Sequence, residues 1–212
     1  MSETQVNAKR TPRLVPAKGV TTVVVSLLVL IVLGYVFAPS SVSAGAVLGM
    51  LPFAAVLAIV GLGQLLVVQQ GGIDLSVPGA VSLYVVIISH YPTGDDSRLL
   101  VALGIAVVWA LGAGVLNAFL IGWVGLNPII ATLGSNALWF AGVLGISGGT
   151  PRATAPLLQS IAGGRTFGVP NSIFFALAAV ALVSVVLKRT VAGRRFEASG
   201  ASRPVAFVVG LN

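Results

Sequence analysis

Cysteine is absent from the 212 residues of this chain. Without a thiol there is no disulfide framework and no thiolate metal site. Histidine is almost absent as well. His90 stands alone, which leaves little scope for an imidazole metal site or a histidine proton relay. Charge is scarce: Asp, Glu, Lys and Arg make up 8% of the chain, whereas 57% is hydrophobic. Well-behaved soluble surfaces carry roughly 25–35% charged residues, so a soluble domain of this composition would have an uncovered apolar surface. Catalytic sets are missing too. The sequence offers no Ser/His/Asp constellation, carboxylate pair or metal cluster, and catalysis by this chain is not expected.

What the sequence does contain is long apolar runs, with a mean hydropathy of +1.04 over the whole chain. They cover Val20–Phe37, Ala44–Val68, Leu75–Ser89, Leu99–Val124, Pro128–Ile146 and Phe167–Leu187. A spanning helix needs about 20 such residues to cross roughly 30 Å of hydrocarbon. The runs predict an all-α fold, a polytopic transmembrane helix bundle of about six spans. The third run is short: its helix either begins near Gly72 or is broken. The fifth carries Thr132, Ser135 and Asn136 and is the weakest candidate. A cleaved signal peptide ending near Ala44 or Ala46 is the competing account of the first run. That run is closer to spanning length than to the roughly 7–15 residues of a signal core.

Basic residues sort by side of the membrane. With the amino terminus inside, an even number of crossings returns the chain inside near Lys188. Of the 12 basic residues, all but Arg98, Arg152 and Arg165 then lie in inside segments. This is the positive-inside pattern, and it predicts cytoplasmic N- and C-termini. Residues 1–19 read as a polar basic cytoplasmic tail, 20–187 as the membrane domain, and 188–212 as a cytoplasmic segment. The net charge of +7 is explained by orientation and anionic membrane lipid. Nucleic-acid binding is not expected, because no basic helix is interleaved with base-stacking aromatics.

Glycine is frequent, at 26 residues. Gly45 with Gly49, Gly61 with Gly63, and Gly112 with Gly114 form smooth patches that let helices pack closely in lipid. Three segments interrupt the apolar pattern. In Gln69–Gly79, Asp74 either caps the next helix or belongs to a break that lines a polar pathway, since irregular backbone at membrane depth survives only inside protein or beside water. In Leu126–Asn136, Asn127 is placed to cap a helix with Pro128 at its first position. There Thr132, Ser135 and Asn136, like Asn117 earlier, either bond to neighbouring helices or face a solute. In Lys188–Ala201 the basic residues set orientation or dock a soluble partner, with Phe196 as the apolar anchor of such a docking surface. His90-Tyr91-Pro92 reads as an interfacial aromatic group with a capping role. The loop Ser147–Arg152 lacks the ending of a phosphate cradle.

Taken in order, these segments resemble the permeases of bacterial ribose-type (monosaccharide) ABC importers. The family shows a Gly-Gly-Ile-Asp-Leu-Ser stretch, matched by Gly71–Ser76. It has a small-residue helix with Asn, similar to Gly112–Asn117, and a Pro-Phe-Ile-Ala-Thr-Leu-Gly stretch, close to Pro128–Gly134. A Gly-Gly outer loop resembles Ser147-Gly148-Gly149. A Gly-Arg and Ala-x-Gly pattern resembles Gly193-Arg194 and Ala198-Ser199-Gly200, with Gly210-Leu211-Asn212 closing the match. Two departures stand out: Ala192 replaces the usual Phe, and Ser202–Phe207 replaces an Asn-Pro-Glu-Ala-Ala-like stretch.

The resemblance implies a multi-pass inner-membrane permease subunit that imports a monosaccharide such as ribose. Its partners would be an ABC ATPase subunit, a periplasmic sugar-binding protein and a second permease subunit. No cofactor is expected on this chain, because ATP would be bound by the partner ATPase. Asp74, Ser76, Asn117, Thr132 and Asn136 would line the substrate path. Gly193, Arg194 and Gly200 match the cytoplasmic segment that couples to the ATPase. The family continues with further helices after Gly-Ile-Asn, so the chain reads as truncated after Asn212. A branched-chain amino acid permease of the same superfamily and a truncated non-transporting remnant are the alternatives. A secondary transporter would need more intramembrane ionisable groups than Asp74.

Overall fold

The computed structural model describes residues 18–201. The polar tail before Lys18, the Ser202–Phe207 departure and the Gly210-Leu211-Asn212 match lie outside the described residues. The described residues are all-α apart from one short hairpin, and five of their helices are long and apolar enough to cross a membrane. It divides into two units, Met1–Gly49 and Met50–Asn212, with the boundary inside helix α2.

In the first unit, helix α1 (Lys18–Phe37) is apolar on all sides. It leads through Ala38 into a single 3-10 turn, Pro39–Val42. The turn folds onto Gly34, where a Cβ would lie 3.1 Å from Val42 Cγ1. Ser43 then starts α2 (Ala44–Gln69), its hydroxyl accepting from the Ala46 N–H at 3.3 Å, as an N-cap hydroxyl does.

The second unit holds the remainder. Helix α2 stops at Gln69 because Gly71 adopts φ +76°, a left-handed conformation open to glycine at no steric cost. The N–H groups of Gly71 and Gly72 close the last turn on the carbonyls of Val68 and Val67. Residues 72–76 are then irregular, and α3 occupies only Val77–His90, 14 residues. At ~1.5 Å per residue this is about 21 Å, short of the hydrocarbon thickness. The third expected span, 75–89, is therefore a broken one, an irregular stretch followed by a short helix.

Helix α4 (Leu99–Ala118) ends in a π-turn, Phe119–Trp123, and Gly125 at φ +78° redirects the chain. Helix α5 (Pro128–Ser147) is a full 20 residues despite its polar content. Asn127 Oδ1 accepts from the Ile129 N–H at 2.9 Å, Pro128 is the first helical residue, and Gly148 at φ +57° ends the helix. Helix α6 (Pro156–Gly163) and the two-residue strands β1 (Arg165–Thr166) and β2 (Val169–Pro170) follow. The sixth apolar run was expected to become helical at Phe167. Phe167 and Gly168, at φ +53° and +79°, form the hairpin turn instead, and α7 (Asn171–Arg189) begins after Pro170. Thr190 alone separates α7 from α8 (Val191–Ala201).

The core of this unit lies where α3 packs on α5 and α4. Leu83, Ile87, Ala113 and Trp139 are buried there. Trp109 meets Trp139 edge to face, centroids 5.9 Å apart, a favoured aromatic geometry. Other large apolar side chains point outward, among them Leu100, Leu111, Val115 and Leu138. Such a surface is stable against hydrocarbon and costly against water.

Candidate functional site

The irregular stretch 72–76 needs partners for its backbone, because lipid offers none. Helices α2 and α5 supply them, α5 also holds the first turn of α3, and α4 adds a side-chain bond. From α2, Gln64 Nε2 donates to the Asp74 carbonyl. From α5, Thr132 Oγ1 accepts from the Leu75 N–H at 3.0 Å, and Asn136 Oδ1 accepts from the Gly79 N–H at 2.8 Å. From α4, Asn117 Nδ2 donates to Ser76 Oγ at 3.0 Å. Thr132 also donates back to the Pro128 carbonyl at 2.7 Å, so its hydroxyl is satisfied in both senses.

Asp74 sits at the end of a hydrogen-bond chain. Ser135 Oγ donates to Asn117 Oδ1, Asn117 Nδ2 to Ser76 Oγ, and Ser76 Oγ to Asp74 Oδ1 at 2.6 Å. The Ser76 N–H adds a second bond to Oδ1 at 2.7 Å. Ser76, Thr132 and Ser135 are buried. Asp74 is not the N-cap considered from the sequence. The N-cap position belongs to Ser76, and Asp74, two residues earlier, folds its carboxylate over the Ser76 N–H as an Asx turn. Both donors use Oδ1. Among the described residues, Oδ2 makes no hydrogen bond, so that oxygen stays available as an acceptor.

Asp74, Ser76, Asn117, Thr132 and Asn136, named from separate parts of the sequence, thus meet in one cluster. Beside it is a cavity of about 580 Å³. Asp74, Asn117 and Thr132 face it with the apolar Leu66, Ile73 and Ile121. Ser76 and Asn136 are not in its wall. They hold the segment that is.

The residues matched to the coupling segment separate by face. Arg194 is exposed, with Arg195 and Glu197. Gly193 is buried against the end of α7, where a Cβ would collide with the Val186 and Leu187 backbone. At Gly200 a Cβ would collide with the Gln69 carbonyl at the end of α2. Both glycines are close-approach positions facing the protein. Phe196, expected as an anchor for a soluble partner, is also turned inward and forms part of the cavity wall. His90 reaches another segment: its Nε2 lies 3.0 Å from the Thr150 carbonyl.

Residues 46–212 match the family model described as branched-chain amino acid transport system / permease component. The chain belongs to that permease family. It is a multi-pass protein of the bacterial inner membrane, and its family is one of transport permeases, not of enzymes. A probable ABC transporter permease protein of Sinorhizobium fredii, y4mJ, is 34% identical, over 82% of this chain and 52% of its own. The D-allose transport system permease protein AlsC of Escherichia coli is 28% identical, over 73% of this chain and 48% of its own. The fructose import permease protein FruF of Bifidobacterium longum is 28% identical, over 79% and 48%. The permease chain therefore spans about half the length of these relatives. No solved structure matches it.

Sequence reasoning singled out the polar residues of this permease but missed Gln64, and it did not connect Gln70 with α8. A glutamine inside or at the end of an apolar helix is itself a signal, because an amide in lipid requires a partner. Nothing local in the sequence reveals which partner.

Proposed function

We propose that this chain is a permease subunit, or a portion of one, of an ABC importer for a monosaccharide such as ribose. The observation that carries the reading is the cavity beside Asp74. Its volume lies within the ~300–1,000 Å³ of small-molecule pockets, and its wall combines apolar side chains with a few polar groups. Asp74 Oδ2 and the Asn117 and Thr132 side chains offer hydrogen-bond partners to sugar hydroxyls. Among the described residues the lining includes an acidic group but no Lys or Arg. A neutral polyol suits that wall, whereas the carboxylate of an amino acid would meet Asp74 without a compensating cation.

In this reading the sugar arrives from a periplasmic binding protein, and a partner ATPase drives exchange between outward- and inward-open states. A second permease subunit completes the path. Both termini face the cytoplasm, as the basic flanks support, and Arg194 and Arg195 on the exposed face of α8 meet the ATPase. The family description itself favours a second reading, transport of a branched-chain amino acid. Uptake of labelled ribose, allose, fructose and leucine distinguishes them, measured in cells expressing the chain with its partner subunits. Saturable sugar uptake that drops at least about tenfold in Asp74→Asn, the effect of losing a hydrogen bond to a charged group, supports the proposal. Leucine uptake alone, or no uptake of either class, refutes it.

A further inference from the structure

The joint between α8 and the end of α2 has a role that the ATPase-facing surface does not explain. Gln70 Nε2 donates to the Phe196 carbonyl at 2.8 Å. Ser199 Oγ donates to the same carbonyl at 2.9 Å and lies 3.4 Å from Gln70 Oε1. One amide side chain therefore ties α8 at Phe196 to the last turn of α2. Gly200 lies against the Gln69 carbonyl with no room for a Cβ. At its other end α8 is fixed to α7: Thr190 Oγ1 donates to the Val186 carbonyl and accepts from the Gly193 N–H, and Gly193 rests on the Val186–Leu187 backbone. So α8 is a short bar gripped at both ends. The α2 grip is followed directly by Gly71 at φ +76° and the irregular stretch to Asp74. Gln70, Phe196 and Asp74 all line the same cavity. At the same joint Gln69 Oε1 is buried with no partner among the described residues.

We propose that Gln70 is the latch between α8 and the substrate cavity. It holds Phe196 in the cavity wall, and its release swings that wall away and opens access to Asp74 from the α8 side. Gln70 is thus a positioning residue, and Phe196 is the moving part. The inference rests on the permease reading for its purpose, but its geometry can be tested without transport.

Because the chain has no cysteine, Phe196→Cys introduces a single thiol. The full chain carrying Phe196→Cys, in membranes, is labelled with a hydrophilic maleimide, and the rate is compared with and without Gln70→Ala. Loss of the latch should raise the rate about fivefold or more, the population change expected when a hydrogen bond of ordinary strength is removed. Ser199→Ala removes the hydroxyl's bond to the Phe196 carbonyl and its long contact with Gln70 Oε1 but keeps the Gln70–Phe196 bond, and should raise it less. This second variant keeps the test decisive if Gln70→Ala does not accumulate. Equal rates in both backgrounds overturn the latch. Faster labelling in Gln70→Ala, together with no sugar uptake by the unmodified chain and its partners, refutes the importer reading and leaves the latch standing.

Discussion

At Gly79 α3 lies close against α5. A Cβ placed on it would lie 2.7 Å from the Asn136 carbonyl oxygen, 2.8 Å from Asn136 Oδ1 and 3.0 Å from Trp139 Cβ. The first of these is helix backbone and cannot rotate away, so Gly79→Ala must push α3 off α5. Overpacking of this kind costs about 1–3 kcal/mol. The displacement also strains the 2.8 Å bond from the Gly79 N–H to Asn136 Oδ1, about 0.5–1.5 kcal/mol more. Against this, alanine in place of a helical glycine gains about 1 kcal/mol of propensity. The net is a destabilisation of about 0.5–3.5 kcal/mol. Gly134 in α5 is the matched control, since a Cβ there meets nothing within 4 Å and only the propensity gain applies. The gap between the two variants is then about 1.5–4.5 kcal/mol, or roughly 3–18 °C in melting temperature at about 2–4 °C per kcal/mol. Thermal unfolding of both variants in one detergent measures it. A Gly79→Ala protein that melts with or above Gly134→Ala would show that α3 and α5 do not cross at this point.

Other expectations concern the surface. Arg194→Glu should weaken association with the partner ATPase, because it reverses the charge of an exposed α8 residue; undiminished co-purification with the ATPase would contradict this. An Asp96→Cys thiol, new to a cysteine-free chain, should react with impermeant reagent in intact spheroplasts and not from the inside of inverted vesicles, the reverse result inverting the topology. Hydrogen bonding from Ser97, first through its side chain and then its backbone N–H, holds the Asp95 carboxyl below its ordinary value, and the Arg98 guanidinium adds to this. A carboxyl depressed on folding contributes above its unfolded value and loses that contribution as pH falls through the folded one. Proteolysis of the 91–98 loop should therefore be flat from about pH 8 to pH 5 and rise only below the usual carboxylate range; a rise near neutrality would refute this.

The breaks in the helices were largely legible, because their causes are local. Asn127-Pro128 opens a helix by supplying a side-chain acceptor and removing an N–H that had no partner. Gly71 and Gly148 close helices with left-handed backbone. The short third run forecast a break, and one is present. Where local reading failed, a neighbour was involved. The weakest expected span, α5, is a complete helix because its polar side chains find partners: Thr132 returns its hydroxyl to the Pro128 carbonyl, and Ser135 donates to Asn117 Oδ1 on α4. The hairpin at Phe167–Gly168 takes the first turn from the sixth run because the strands on either side pair.

Composition and hydropathy alone placed this chain in lipid: with so little charge to cover a surface, apolar helices are the state in which its backbone is satisfied. The rotation of each helix was not encoded so plainly. In a soluble protein a polar stripe tells which face is outside, but here residues facing lipid and residues facing the core are equally apolar. Nothing in the run 191–201 says that Gly193, Phe196 and Gly200 turn inward while Arg194 and Arg195 turn out. Nor does the sequence say that Gln70 reaches across 126 positions to the Phe196 carbonyl. Those facts depend on how α2, α7 and α8 pack, and packing sums contacts between residues far apart in the chain.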